Sequence, residues 1–584
     1  MISDLSDPHN QVFLRGHDDN ITCMSLSPSG RYIASGQKGE NSDVIVWDFD
    51  EKKLLYRLQS HDSGIACVAF SHDEKLLLSI GNNQDNRLFV WDMASGMMTG
   101  QSTAVEKTDS QDICCAVFGG FLKNIKRRDT HNYMFITAGK RCIRLWALDP
   151  HTGEWVHQGE TLNSISHVRD YTCISFSPDK RFVFVGSTTG DVTAFDTRAK
   201  ALADSKQICQ GGVDSLLVLP TRDEGRYLIM VGGGNGDLVK VSAEGAKMSF
   251  IQNGSIHVQG GITSLSLSGD GQEALAGTSL SYMYRARIED LRHALVSENH
   301  SSMVTFIAFP PDSSDRFATC STDGTIRMWD LSDYKVLCKG MCRDGGIPHC
   351  IDFALECLLT GWSDGFVRCF DAETGEMLWK MHDVHRGGVT ALAVSHNHRF
   401  MVTGGEEGDV RVWDIKQRDM VAHLKEHDAA VTSICIFDDD AHCITGSKDR
   451  NILSWDLRLE KRIASLRQRM GGVNSVSLYL DQVQLVSVGQ ERRVTFWDLR
   501  DTEPTTAVNL PGEAMTVTLS HSGRFIGCGG KDQVVRVFDF EQNRLLMEGA
   551  GHSGSIACVR FSPDDRQLVS VGDDGCIFVW NIYA

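Results

Sequence analysis

The 584 residues carry 76 acidic against 58 basic side chains, a formal charge of −18, with 41% hydrophobic and 23% charged residues. A chain this long exceeds what one hydrophobic core organises, so more than one domain is expected, and the composition excludes disordered and membrane classes. An acidic surface repels phosphate backbones, so nucleic acid is not an expected partner.

The N-terminal residues 1–10 (MISDLSDPHN) hold acids and no apolar run, unlike a secretory signal or an amphipathic transit peptide. No stretch approaches the roughly 20 apolar residues that cross a bilayer, so no membrane association is expected and the cytosolic side is the expected compartment. The 18 cysteines follow no disulfide spacing. Most take apolar strand positions, as Cys23, Cys67, Cys435 and Cys558 do, which suits reduced, buried thiols.

In chain order, residues 11–14 (QVFL) read as an outer strand whose inner partners are missing. Strand-like runs then close on Trp-Asp or a worn form of it at Trp47-Asp48, Trp91-Asp92, Trp146-Ala147 and Phe195-Asp196. Two fainter copies follow at 236–241 (GDLVKV) and 280–286 (LSYMYRA). The series resumes at Trp329-Asp330, Phe370-Asp371, Trp413-Asp414, Trp455-Asp456, Trp497-Asp498, Phe538-Asp539 and Trp580-Asn581. From Asp371 to Asp539 the ends stand 41 to 43 residues apart, the length of one four-stranded propeller blade. Alternation such as Val410-Arg411-Val412-Trp413 and turns such as Asp574-Gly575 fit short strands and no long helix.

The expected fold is therefore all-β, with two tandem WD-repeat β-propellers, 1–289 and 290–584. Seven repeat ends follow a polar, helix-compatible stretch at 288–292 (IEDLR), enough for a seven-bladed second ring. Its last blade lacks an outer strand, and residues 294–297 (ALVS) are expected to supply one and close the ring. The first half shows six ends, which leaves open six blades or an incomplete seventh.

The resemblance to WD-repeat proteins rests on a polar constellation as well as the dipeptide. His300, Thr319, Asp323 and Trp329 form one set, His427, Thr445, Asp449 and Trp455 another, and His552, Ser570, Asp574 and Trp580 a third, with 28 or 29 residues from histidine to tryptophan. The resemblance implies that each set bonds internally, the aspartate holding the imidazole, the imidazole reaching the hydroxyl, and the hydroxyl accepting the indole N–H. A buried donor left unpaired costs about 1–3 kcal/mol, so a structural role is expected. A catalytic triad would occur once, not three times at one spacing.

A closer resemblance, from Phe13 to the C-terminus, rests on FLRGH (13–17), YIASGQ (32–37), STTGDV (187–192), QGGITSLSL (259–267) and GGEEGDVRVWDI (404–415). On these the chain resembles the cilia- and flagella-associated WD-repeat proteins that line the lumen of axonemal doublet microtubules. Members carry a further segment of about one blade ahead of the FLRGH match, which makes closure of the first ring the open point. The resemblance implies a non-catalytic microtubule inner protein whose partners are tubulin and other luminal proteins, with no cofactor. Its implied place is the ciliary or flagellar axoneme. It implies no particular contact residues. A double-propeller actin regulator and a general WD-repeat adaptor are the competing readings.

Other motifs have plainer accounts. The pattern Gly361-Trp362-Ser363-Asp364-Gly365 matches a nucleophile elbow, but a strand follows where a helix is needed. Cys338, Cys342, His349 and Cys350 lie within 13 residues, yet neighbours on a strand point to opposite faces, so no metal site is expected. The adjacent Cys114 and Cys115 meet the same objection. Residues 232–237 (GGGNGD) lack the Lys-Ser/Thr of a phosphate loop. Glu406, Glu407 and Asp409 occupy the turn that carries Asp323 and Asp574 elsewhere. The basic run 123–128 (KNIKRR) reads as a solvated loop.

Overall fold

The computed structural model describes residues 2–4, 7, 9–103, 112–123, 128–162, 169–220, 225–245, 248–342 and 344–583. Among them there is no helix. Of the basic run, residues 124–127 lie outside the described set.

One meander repeats along the chain. Ile21–Leu26 pairs with Tyr32–Gln37, which pairs with Asp43–Asp48, which pairs with Lys53–Gln59, all antiparallel. The two middle strands are almost wholly buried, whereas Lys53–Gln59 is largely exposed, so the middle of the sheet is covered on its two faces and its outer edge is wet. The tight turn into the third strand needs a left-handed residue, supplied by Gly575 at φ +69° in the last sheet. Arg450 holds the same place at φ +78° and accepts the strain that glycine avoids.

The chain forms two compact units, residues 1–298 and 299–584. The first contains six four-stranded sheets, 21–59, 65–103, 113–161, 171–207, 213–257 and 262–298, and a two-stranded pair, Ile2–Ser3 with Gln11–Val12. The second contains six four-stranded sheets from 304 to 550 and a three-stranded one, 556–581. In both, the first strand of each sheet packs beside the first strand of the next, so the sheets stand radially around an axis as propeller blades do.

The structure corrects the expected boundary and the expected closing strand. His293–Glu298, which contains 294–297, pairs with Tyr282–Arg287 as the fourth strand of the last sheet in the first unit. The cause is local. Residues 288–292 form a tight turn in place of a helix, with Leu291 at φ +57° and its side chain buried against Met230 and Tyr284. That turn folds the following strand straight back onto its own sheet. The second ring closes without it: Ile556–Phe561 packs on Val304–Ala308, and Cys558, Val569 and Val571 join Val304, Ile307 and Trp329 in one apolar cluster.

Several seams between sheets have a knob and a socket. The opening residue of a first strand is often Val or Ile, and it packs on a glycine of the preceding sheet's second strand. A Cβ on Gly36, Gly186, Gly232 or Gly404 would come within 2.6–2.7 Å of Ile65, Val213, Ile262 or Val431. At some of them a threonine pegs the seam. The Thr22, Thr390 and Thr432 hydroxyls lie 2.5, 2.6 and 2.9 Å from the carbonyls of Ile65, Val431 and Val473. Because Val431 is fully buried, it has no room to retreat. Gly404→Ala is expected to cost the second unit about 1–3 kcal/mol in urea unfolding. An unchanged midpoint would show that the seam is not close-packed.

Candidate functional site

The polar constellations sit where a loop entering a sheet meets its second and third strands. His552 lies just before the first strand, Ser570 on the second, Asp574 in the turn after it and Trp580 on the third. The His552 Nε2 is 2.8 Å from Ser570 Oγ, Nδ1 is 3.0 Å from Asp574 Oδ2, and the Trp580 indole N–H donates to Ser570 Oγ at 2.8 Å. His427, Thr445, Asp449 and Trp455 repeat this with all three contacts at 2.8 Å. His300, Thr319, Asp323 and Trp329 do so at 2.9, 2.8 and 2.8 Å.

Each carboxylate also gathers backbone. Asp449 accepts the Asp428 N–H at 3.0 Å and the Asn451 N–H at 2.8 Å, so one side chain holds the incoming loop, the imidazole and its own turn. Burial would raise the Asp449 carboxyl, but the His427 hydrogen bond and these amides outweigh it and hold its pKa at about 2. With the carboxylate ionised, Nδ1 carries the proton and donates, which leaves Nε2 to accept from the threonine hydroxyl. Burial lowers the His300 pKa, so its ring resists a second proton.

In outline this is a nucleophile, a base and an orienting acid, but the hydroxyl is taken. Its oxygen accepts the indole N–H while its proton faces the imidazole, and Thr319, Thr445 and Ser570 are each fully buried. No face of the oxygen is presented to a solvent-borne substrate.

One full quartet escaped the sequence reading. His61, Ser79, Asp85 and Trp91 are joined at 2.5 Å (Nδ1 to Asp85), 2.9 Å (Nε2 to Ser79) and 2.9 Å (indole to Ser79). Its turn, 82–86, is longer than the others and stretches the histidine-to-tryptophan spacing, so a fixed-offset search passes over it. The signal was a histidine ahead of the first strand of a sheet and an aspartate ahead of its third.

Other sheets keep part of the set. Gln37 replaces the aspartate beside His17, at 2.7 Å. Gln468 replaces the histidine and donates to Ser487 at 3.2 Å, while Trp497 donates to the same oxygen at 2.8 Å. His385 reaches Thr403 at 2.9 Å, but Glu407 stands in the aspartate's place, six residues before Trp413, and Asp409 of the same turn faces Arg411, His423 and Lys425. Burial and the Arg411 charge push the His385 pKa down to about 4.

The remaining motifs are placed plainly. Ser363 lies in a turn between two strands and accepts the Ile347 N–H at 2.9 Å. The Cys338 thiol points at the Ala372 carbonyl, 3.2 Å away, and among the described residues no three His, Cys, Asp or Glu side chains gather as metal ligands. Cys114 is exposed and Cys115 turns inward, on opposite faces of one strand. Asn235 bonds Asp237 at 2.6 Å within the glycine-rich turn.

Two outcomes are expected. Trp455→Ala removes a buried indole and should cost about 3–5 kcal/mol. His427→Ala strands the Thr445 hydroxyl and should cost about 1–3 kcal/mol. Both are read from urea unfolding of the second unit, and wild-type midpoints would count against the staple role we propose for these sets. For acid, His385 titrates near 4 folded and about 6.5 unfolded, so its contribution is complete above about 6.5 and lost as pH falls toward 4. The melting temperature should drop across that window, and His385→Gln should flatten the slope. A further loss, from Asp85 and Asp449, lies lower, as pH falls from about 4 to about 2.

Comparison with known proteins fits this geometry. Residues 10–286 match the family described as the first beta-propeller of echinoderm microtubule-associated protein. Residues 338–470 match a Vps8 beta-propeller and 293–330 and 543–581 match the WD domain, G-beta repeat. The human cilia- and flagella-associated protein 52 is 32% identical over 98% of this chain and 90% of its own length. Its Chlamydomonas reinhardtii counterpart is 32% identical over 100% of this chain and 92% of its own length. Mouse WD repeat-containing protein 90 is 23% identical over 69% of this chain and 22% of its own length. Identity at that level along nearly the whole of both chains, on an array of radial four-stranded sheets, places this chain in the cilia- and flagella-associated protein 52 family.

Proposed function

We propose that the chain is a non-catalytic structural protein of cilia and flagella that binds the luminal face of doublet microtubules and stabilises the axoneme. Its partners are tubulin and other proteins of the doublet lumen. The observation that carries this reading is the co-linear match, spanning nearly all of this chain, to proteins named for cilia and flagella. The match of residues 10–286 to a propeller of a microtubule-associated protein points the same way.

The physics suits the role. Propeller sheets locked at their seams present loop faces in fixed positions, so little conformational entropy is lost when a partner docks. The buried, fully bonded quartets support a structural reading over a catalytic one. A tagged chain expressed in flagellated cells should run along the shaft and stay with the axoneme through detergent and high salt. Extraction with the soluble fraction, or capture on actin without axonemal retention, would overturn the proposal. Density for both units inside isolated doublets would identify the contact faces.

A further inference from the structure

Two residues before its closing aromatic, the third strand of nearly every sheet in the second unit carries a large side chain. In four sheets it is an arginine, Arg327, Arg368, Arg411 or Arg536, and in two it is Leu453 or Phe578. Arg327, Arg368 and Arg536 are at most 7% exposed. Each faces an aspartate four residues earlier: Arg368 reaches Asp364 at 2.6 Å, Arg327 stands 3.9 Å from Asp323, and Arg536 bonds Asp532. Directly opposite the four arginines, on the outer strand, stand Lys339, Lys380, His423 and Glu548. A guanidinium and a second long side chain thus occupy the corner between the turn and the outer strand.

In the sheet 473–509 both are cut short. Thr495 holds the arginine's place, with Ala507 opposite. The corner is a cavity of about 160 Å³ whose lining includes Gln468, Glu491, Thr495 and Trp497. Glu491 keeps the place of the acid, four residues before Thr495. Its Oε1 accepts the Met470 N–H. Gln468 and Thr495 are 2% and 4% exposed, and among the described residues Gln468 Oε1 and Thr495 Oγ1 have no hydrogen-bond partner. Buried polar atoms are normally paired, so these two mark a place shaped for a donor. Two cations also line the cavity, Arg469 and Arg493, but both are exposed and Arg469 stands 3.4 Å from Glu503. Charges held in water act only weakly on a group inside.

We propose that this cavity binds a guanidinium group from outside the chain, seated where the neighbouring sheets seat their own. Its N–H groups donate to the Glu491 carboxylate, to Gln468 Oε1 and to Thr495 Oγ1. Its plane packs on the Trp497 ring, as the guanidinium of Arg368 lies 4.4 Å from the Trp362 ring. The flat fork of five donors suits several acceptors spread around one cavity, which a compact ammonium does not. An arginine side chain of a partner protein and a free guanidino compound both offer this chemistry.

The test is an NMR titration of the full chain labelled at tryptophan with nitrogen-15, the Trp497 indole signal being assigned by Trp497→Phe. Methylguanidinium should shift that signal saturably in the millimolar range, about tenfold more tightly than methylammonium. Thr495→Arg puts the chain's own guanidinium in the cavity and should abolish the shift while raising the melting temperature by about 2 °C. Glu491→Gln keeps an acceptor for the Met470 N–H and should weaken binding about tenfold, so the question is decided even if Thr495→Arg fails to fold. Both orders of affinity between N-acetyl-arginine amide and free arginine support the site: tighter binding of the capped form names a protein side chain as the source, and tighter binding of the free form a small molecule. No saturable shift with any guanidinium probe would overturn the proposal. So would a shift that Glu491→Gln leaves unchanged, or tighter binding of inorganic phosphate than of methylguanidinium, which would make this an anion site of Arg469 and Arg493.

Discussion

A four-stranded sheet that is apolar on both faces cannot stand alone in water, and that constraint shapes the whole molecule. Each face needs a neighbour, each neighbour brings another bare face, and a closed ring is the arrangement that leaves none bare. The seams carry the burial: a β-branched knob on a glycine, a threonine peg above it, and apolar clusters such as the one joining Ala34 and Val46 to Val68 and Leu77 behind. Closure in the second unit is by face and not by edge. The three-stranded last sheet does its part because its inner strands meet Val304 and Ile307, while a fourth strand would only have covered the rim.

The quartets follow from the same geometry. A radial array brings every loop back to the inner edge of the next sheet, which buries polar groups at each return. Histidine, hydroxyl, indole and carboxylate settle those groups among themselves, and the carboxylate takes the loop's own amides as well. Where one member is exchanged, as with Gln37 or Gln468, another amide takes up the bond.

Much of this is legible in the sequence because the repeat is short and its ends are aromatic. Trp329, Trp455 and Trp580 mark third strands, and a histidine 28 or 29 residues earlier marks the loop that each sheet must hold. The quartet at His61 was less legible because a longer turn changes its spacing and nothing else. The strand at 294–297 was misread for a different reason. Its residues suit any outer strand, and its partner is chosen by the turn before it, where Leu291 adopts a left-handed backbone to bury its side chain. A pattern of apolar residues records which way side chains face, not which neighbour a tight turn selects. The seam sockets were invisible for a similar reason: Gly36 and Gly404 look like ordinary turn glycines until the knob of the next sheet is seen against them.

The thiols carry one more consequence. All 18 cysteines are unpaired, only Cys114 and Cys576 are exposed, and burial raises even the Cys576 thiol to about 11. The thiolate is the form that peroxides and electrophiles attack, and here it is scarce at neutral pH. A sulfur-rich chain folded in this way weathers oxidants slowly, because few of its thiols are both exposed and ionised.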